Sequence, residues 1–229
     1  AHQHESDDQQ RHHAEPGENP GHHGCDVGSA LFLIGDAAAQ DGDLILIDAA
    51  CELDGYASDI TRTFPVDGRF TPVQRRVYEA VLQVQQEIIK SLKPGVPFRD
   101  LHDMGASLLT DAMLDLGLFT GRKQDILSSQ AYRKYYPHGI GHWLGMDVHD
   151  AGAYFVRSEP RVLESNMVFT VEPGLYFPEH DTDLPKELRG IGVRIEDNIR
   201  IVPGGSENLT EKAPKTVGDL ESVIGTARA

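Results

Sequence analysis

Residues 44–47 (Leu44-Ile45-Leu46-Ile47) form a short apolar run, the pattern of a buried strand. Asp54-Gly55 is a turn signal. A stretch rich in β-branched residues through Ile60, Thr61, Thr63 and Phe64 predicts a second strand. Thr71-Pro72 reads as a helix N-cap with proline at the first helical position. Behind it Val73, Val77, Ala80, Val81, Val84 and Ile88 recur at helical spacing, and Pro94-Gly95 ends the helix. A second helix is predicted over 99–116, with Leu101, Met104, Leu108, Ala112 and Leu116 as its apolar stripe. The Gly- and His-rich stretch 135–150 reads as a loop. Strands are predicted over 167–172 and 175–177, with a longer one over 192–202. Hairpin strands beside separate helices, without a regular βαβ alternation, predict an α+β fold.

Composition narrows the function classes. The chain has 229 residues, enough for one large domain or two small ones, and a formal net charge of −15. That balance is wrong for nucleic acid or an anionic membrane, which need a basic surface. No apolar run approaches the length of a membrane span, and no signal-peptide pattern is present. Two cysteines, Cys25 and Cys51, cannot make a disulfide framework, so a reducing compartment and a cytoplasmic location are expected. Residues 1–40 have a different texture, with seven acids against one base (Arg11) and six of the eleven histidines. Up to Gly24 there is no large apolar residue, so this stretch is expected to be a disordered, solvated tail rather than a His-rich metal-binding tract. The division is thus an atypical segment, 1–40, and a folded domain, 41–229. The lack of Met at position 1 points to a processed or partial chain.

The candidate chemistry lies in acids placed where strand patterns want apolar residues. Asp48 ends the first strand and Asp59 lies inside the second. Glu172 closes Val168-Phe169-Thr170-Val171, and Glu196 interrupts the last long strand. Any one of them reads as an edge acid facing water. Together they need partners or a metal, because a lone buried carboxylate is costly. The loop His138-Gly139-Ile140-Gly141-His142-Trp143-Leu144-Gly145-Met146-Asp147-Val148-His149-Asp150 adds three imidazoles spaced to converge on one site, with glycines permitting close backbone approach.

Asp48, Asp59-Ile60-Thr61-Arg62-Thr63-Phe64, the loop from His138 to Asp150, Thr170-Val171-Glu172-Pro173-Gly174-Leu175-Tyr176 and Gly190-Ile191-Gly192-Val193-Arg194-Ile195-Glu196-Asp197 resemble the aminopeptidase P and prolidase group of metallopeptidases. Trp143 and the surroundings of Asp147 are closer to bacterial aminopeptidase P. The resemblance covers about Asp41 to the C-terminus. It implies the pita-bread (creatinase/aminopeptidase) fold, incomplete on its N-terminal side. Residues 1–40 do not match the family's lead-in, apart from a faint strand-like likeness at Phe32-Leu33-Ile34-Gly35-Asp36, so a truncated N-terminus is expected.

The resemblance also implies a dinuclear centre in which Asp48 holds one ion, His142 and Glu172 the other, and Asp59 and Glu196 bridge both. Manganese is the expected metal, with cobalt or zinc as alternatives. The implied reaction is release of the first residue from a peptide with proline second, by a metal-bridging water. Glu172 would relay a proton to the leaving nitrogen. His138 and His149 would hydrogen-bond the substrate carbonyl or the tetrahedral intermediate. Arg194, two residues from Glu196 and so on the same strand face, would fix that carboxylate or Asp59. Tyr176 would line the substrate site. Cys51 is expected to be a small core residue. The alternatives are a prolidase cutting dipeptides, a non-catalytic peptide-binding homologue, and a His-rich metal store. Family members form homo-oligomers through an N-terminal domain that is not recognisable in this chain.

Overall fold

The computed structural model describes residues 38–224, so the expected tail, Cys25 and the 32–36 strand candidate lie outside the described residues. Strand β1 (Leu44–Ala49) pairs antiparallel with β4 (Ile60–Pro65), with Asp48 opposite Thr61. Between them β2 (Glu52–Leu53) and β3 (Tyr56–Ala57) close a small hairpin. Its turn residues, Asp54 and Gly55, both take positive φ, which explains the Asp-Gly pair there. Asp59 lies just ahead of β4 rather than inside it.

Helix α1 (Pro72–Ser91) starts with a capping box. Gln74 N–H donates to the Thr71 hydroxyl at 3.3 Å, and Thr71 N–H to Gln74 Oε1 at 2.9 Å. Its buried face includes the predicted Val77, Val81, Val84 and Ile88. It also takes in Tyr78 and Gln85, while Val73 and Ala80 stand at its margin. Helix α2 (Phe98–Asp115) corrects the expected stripe. Phe98, Leu101, Ala106, Leu109 and Met113 are buried, and Met104, Leu108, Ala112 and Leu116 are only half-buried. The face is turned because Ile140 packs on Gly105, where a Cβ would stand 2.9 Å from Ile140 Cδ1. The shorter α3 (Lys123–Ser128) follows.

The small hairpin β5 (Phe155–Val156) and β6 (Glu159–Pro160) precedes β7 (Val168–Val171) and β8 (Gly174–Tyr176). The predicted long strand over 192–202 is two strands, β9 (Gly192–Arg194) and β10 (Asp197–Val202). β9 pairs with β8, while β10 lies between β7 and β11 (Gly205–Asn208). The chain changes partners at Ile195-Glu196, where Ile195 N–H donates to Pro173 O at 3.3 Å and Glu196 N–H to Thr61 O at 3.1 Å. Helix α4 (Val217–Val223) ends the described chain. The strands contribute Phe169, Val171, Val193, Ile199 and Ile201, and the crossover Ile195, to one core with the buried faces of α1 and α2, as an α+β arrangement requires. Among the described residues no helix is long and apolar enough to cross a membrane.

Candidate metal centre

Five chain segments deliver the site. Segment 140–144 belongs to the predicted loop, yet it runs alongside β7 with strand-like bonds. Glu172 N–H donates to Ile140 O at 2.8 Å, Thr170 N–H to His142 O at 2.9 Å, and Leu144 N–H to Val168 O at 3.2 Å. Gly141 makes this approach feasible, because a side chain there would overlap the Thr170 carbonyl. The ladder sets His142 opposite Thr170, and Glu172, two residues on, reaches the imidazole diagonally at 3.5 Å. β1 brings Asp48, the start of β4 brings Asp59, and the crossover between β9 and β10 brings Glu196.

All five expected metal residues converge. Donor atoms of Asp48, Asp59 and Glu196 lie within 4.8 Å of one another, as do those of His142, Glu172 and Glu196. A third group of the same span joins Asp59, His142 and the exposed His149. Asp59, His142 and Glu196 thus each belong to two of these neighbouring donor groups. His142 Nε2 stands 3.4 Å from Asp59 Oδ2, 3.5 Å from Glu172 Oε1 and 4.0 Å from Glu196 Oε1. Its Nδ1 sits 3.0 Å from Trp143 O, which fixes the proton on Nδ1 and leaves the Nε2 lone pair facing the carboxylates.

The electrostatics fit a cation. Glu196 Oε1 is buried without a hydrogen-bond donor among the described residues. Burial, then the charges of Glu172 and Asp59, drive the Glu196 carboxyl well above its ordinary range. Burial also lifts Glu172, to about 7 against the attraction of His142 and Arg194, and raises Asp48 with the help of neighbouring Asp59. Burial opposes charge on His142, but Asp59 and the Trp143 carbonyl outweigh it and raise its pKa. Crowded carboxylates around a bare imidazole lone pair are relieved by protons or by divalent ions. Oxygen donors with one imidazole suit hard or borderline ions.

A hydrogen-bond chain runs beside these groups. Arg194 pairs through Nη2 with Asp48 and donates from Nη1 to the Tyr176 hydroxyl at 3.2 Å. Tyr176 OH lies 2.7 Å from His138 Nε2, and His138 Nδ1 lies 2.7 Å from Gly139 O. Burial lowers His138 to about 4, so the ring is neutral near pH 7 and bonds the Gly139 carbonyl through Nδ1–H. The expected position of Arg194 needs correction. It bonds Asp48, and reaches Glu196 only through Thr61, to which its Nε donates at 3.1 Å. The strand break at Ile195 removes the shared-face reason for a direct contact with Glu196. Cys51 is half-buried rather than core, with its Sγ 3.1 Å from Ser58 Oγ.

Three positioning residues escape sequence reasoning. Thr61 donates to Glu196 Oε2 at 2.5 Å. Gln85 on α1 donates from Nε2 at 3.3 Å to both Val171 O and Ile195 O, each one residue before a site glutamate. Asn198 on β10, with its amide oriented as its neighbours require, bonds Asp59 N–H at 3.0 Å and Asp59 O at 2.6 Å. The available signal for Gln85 is a polar residue at helical spacing within the apolar stripe between Val81 and Ile88.

Comparison with known proteins gives the family. The profile described as metallopeptidase family M24 matches residues 8–203, reaching upstream of Asp41. The chain is 47% identical over 189 residues to a Xaa-Pro aminopeptidase of Haemophilus influenzae, covering 82% of this chain and 44% of that protein. The Pseudomonas aeruginosa aminopeptidase PepP structure superposes with a TM-score of 0.82 at 48% identity, over 84% of this chain and 44% of that one. Escherichia coli aminopeptidase P in complex with substrate gives 0.77 at 42% identity, over 82% and 42%. The chain thus spans less than half the length of these relatives, and its described part has their pita-bread fold. By its sequence and its fold, the chain belongs to metallopeptidase family M24.

Proposed function

We propose that this chain carries the catalytic site of a metal-dependent aminopeptidase that removes the first residue from peptides with proline in second position. One observation carries the reading: the donor groups Asp48-Asp59-Glu196 and His142-Glu172-Glu196 meet at Glu196, with Asp59 Oδ2 3.4 Å from His142 Nε2. In this reading Asp48 holds one ion, His142 and Glu172 hold the other, and Asp59 and Glu196 bridge both. Four carboxylates balance two divalent charges, and the donor set favours manganese, with cobalt or zinc able to substitute. Two such ions, when bound, would supply an acidified water and a Lewis acid for the scissile carbonyl.

The chain's own residues do the rest. Glu172 relays a proton to the leaving nitrogen. His149, and His138 in the tautomer that carries its proton on Nε2, hydrogen-bond the substrate carbonyl or the tetrahedral intermediate. Arg194 positions Asp48 and Tyr176, and Tyr176 lines the substrate site. The relatives' names support proline in second position, whose tertiary amide lacks N–H and whose ring fixes φ. Cysteine usage supports a reducing, cytoplasmic setting.

The test is hydrolysis with Mn²⁺ of a tripeptide and a dipeptide carrying proline second, beside Glu172→Ala. Tripeptide cleavage lost in the variant supports the reading. Cleavage of the dipeptide alone moves it to a prolidase, and no cleavage by a folded, metal-loaded chain contradicts it.

A further inference from the structure

We propose that Arg62 is a positioning residue for the metal centre: with Asp197 and Lys215 it forms a buried clamp on the main chain of Glu196. The inference rests on the metal-binding reading above. Successive side chains of a strand point to opposite faces. On β4, Thr61 meets the Glu196 carboxylate while Arg62, behind it, meets the Glu196 carbonyl. Arg62 makes five hydrogen bonds, as many as its guanidinium has N–H donors. Nη1 donates to Glu196 O at 2.5 Å and to Thr61 O at 2.9 Å. Nη2 donates to Asp197 Oδ1 at 2.8 Å and to Ala213 O at 3.2 Å, and Nε to Pro214 O at 2.8 Å.

Asp197, the residue after Glu196, is wholly buried. It pairs with Arg62 and with Lys215, and accepts from Asn208 Nδ2 and Thr210 Oγ1, both at 2.9 Å. The clamp therefore ties two of the site's segments, at Thr61 and at Glu196, to segment 213–215. Two cations against one carboxylate also leave a positive excess directly behind a centre of four carboxylates. A buried ion pair is weak evidence for stability by itself, so a role in geometry has to be tested apart from a role in folding.

The test uses the full chain, stripped with chelator and titrated with Co²⁺, read by affinity and by the visible absorption of the bound ion. Arg62→Lys keeps a charge but cannot serve five directions at once. It is expected to lower affinity by about tenfold or more and to alter the spectrum. Met113→Ala, a core truncation on α2, controls for lost stability and is expected to keep parental affinity and spectrum at a temperature where it is folded. Lys215→Met, which leaves Arg62 on Asp197, is expected to weaken binding less, and it decides the matter if Arg62→Lys does not fold. Parental affinity and spectrum in the folded clamp variants overturn the clamp alone. A parent chain that binds no Co²⁺ overturns the clamp together with the metal reading.

Discussion

Thr61 and Glu196, 135 residues apart in sequence, meet at 2.5 Å through one hydroxyl. The same oxygen accepts from Arg194 Nε at 3.1 Å, so Thr61 links the guanidinium on Asp48 to the carboxylate shared by two donor groups. Thr61→Val keeps the β-branched shape and removes both bonds. The expected result is a stable fold with metal affinity lower by about tenfold or more. Titration with Mn²⁺ checks it, and unchanged affinity would show that Glu196 needs no such support.

Gln85 offers a second test of backbone positioning. Gln85→Leu retains bulk but leaves the carbonyls of Val171 and Ile195 without its amide. Unfolding of the metal-free protein is expected to be easier by about 1–3 kcal/mol. The metal-bound form should lose affinity too, since Glu172 and Glu196 both follow the freed carbonyls. Denaturant melts with and without Mn²⁺ separate the two effects.

Gly141 tests the delivery of His142. Gly141→Ala would push a methyl into the Thr170 carbonyl and separate segment 140–144 from β7. Loss of both metal binding and thermal stability is expected, with a lower Tm in chelator as the first readout. Retention of full metal affinity would mean that His142 does not depend on this close approach.

The shifted carboxyls give a pH prediction with a definite sign. Glu172 titrates near 7 in the metal-free fold against an ordinary 4.5, so between these values the folded state holds more protons. Its contribution to stability is complete below the lower value and is lost as pH rises through the upper one. Asp48, Glu196 and His142, all raised, act in the same sense. His138, lowered from 6.5 to about 4, acts oppositely, its contribution being lost as pH falls through that window. Bound ions displace the extra protons. The rise in Tm caused by Mn²⁺ is therefore expected to grow between about pH 5 and about pH 7.5. A rise that shrinks with pH would contradict the arrangement.

The candidate ligands were legible in sequence because buried acids break apolar strand patterns, and because the His138–His149 loop and the Glu172 and Glu196 motifs carry family likeness. Helix α1 was legible from its cap and its spacing. The groups that hold the ligands were not. Thr61 and Arg62 look like ordinary strand residues, and only the turn at Ile195 brings Glu196 onto them. The rotation of α2 depends on Ile140 meeting Gly105, a contact between distant residues that periodicity cannot encode. The β9–β10 break coincides with the polar run Glu196-Asp197-Asn198, but the β-branched residues on both sides favour extended backbone and hide it.

A two-ion centre sharing Asp59 and Glu196 is tested by the metal stoichiometry of the chelator-stripped chain reloaded with Mn²⁺, read together with its paramagnetic resonance spectrum. Two ions per chain with exchange coupling between them are expected, with loss of the coupling in Asp59→Ala. A single uncoupled ion, or none, in a folded chain would contradict it.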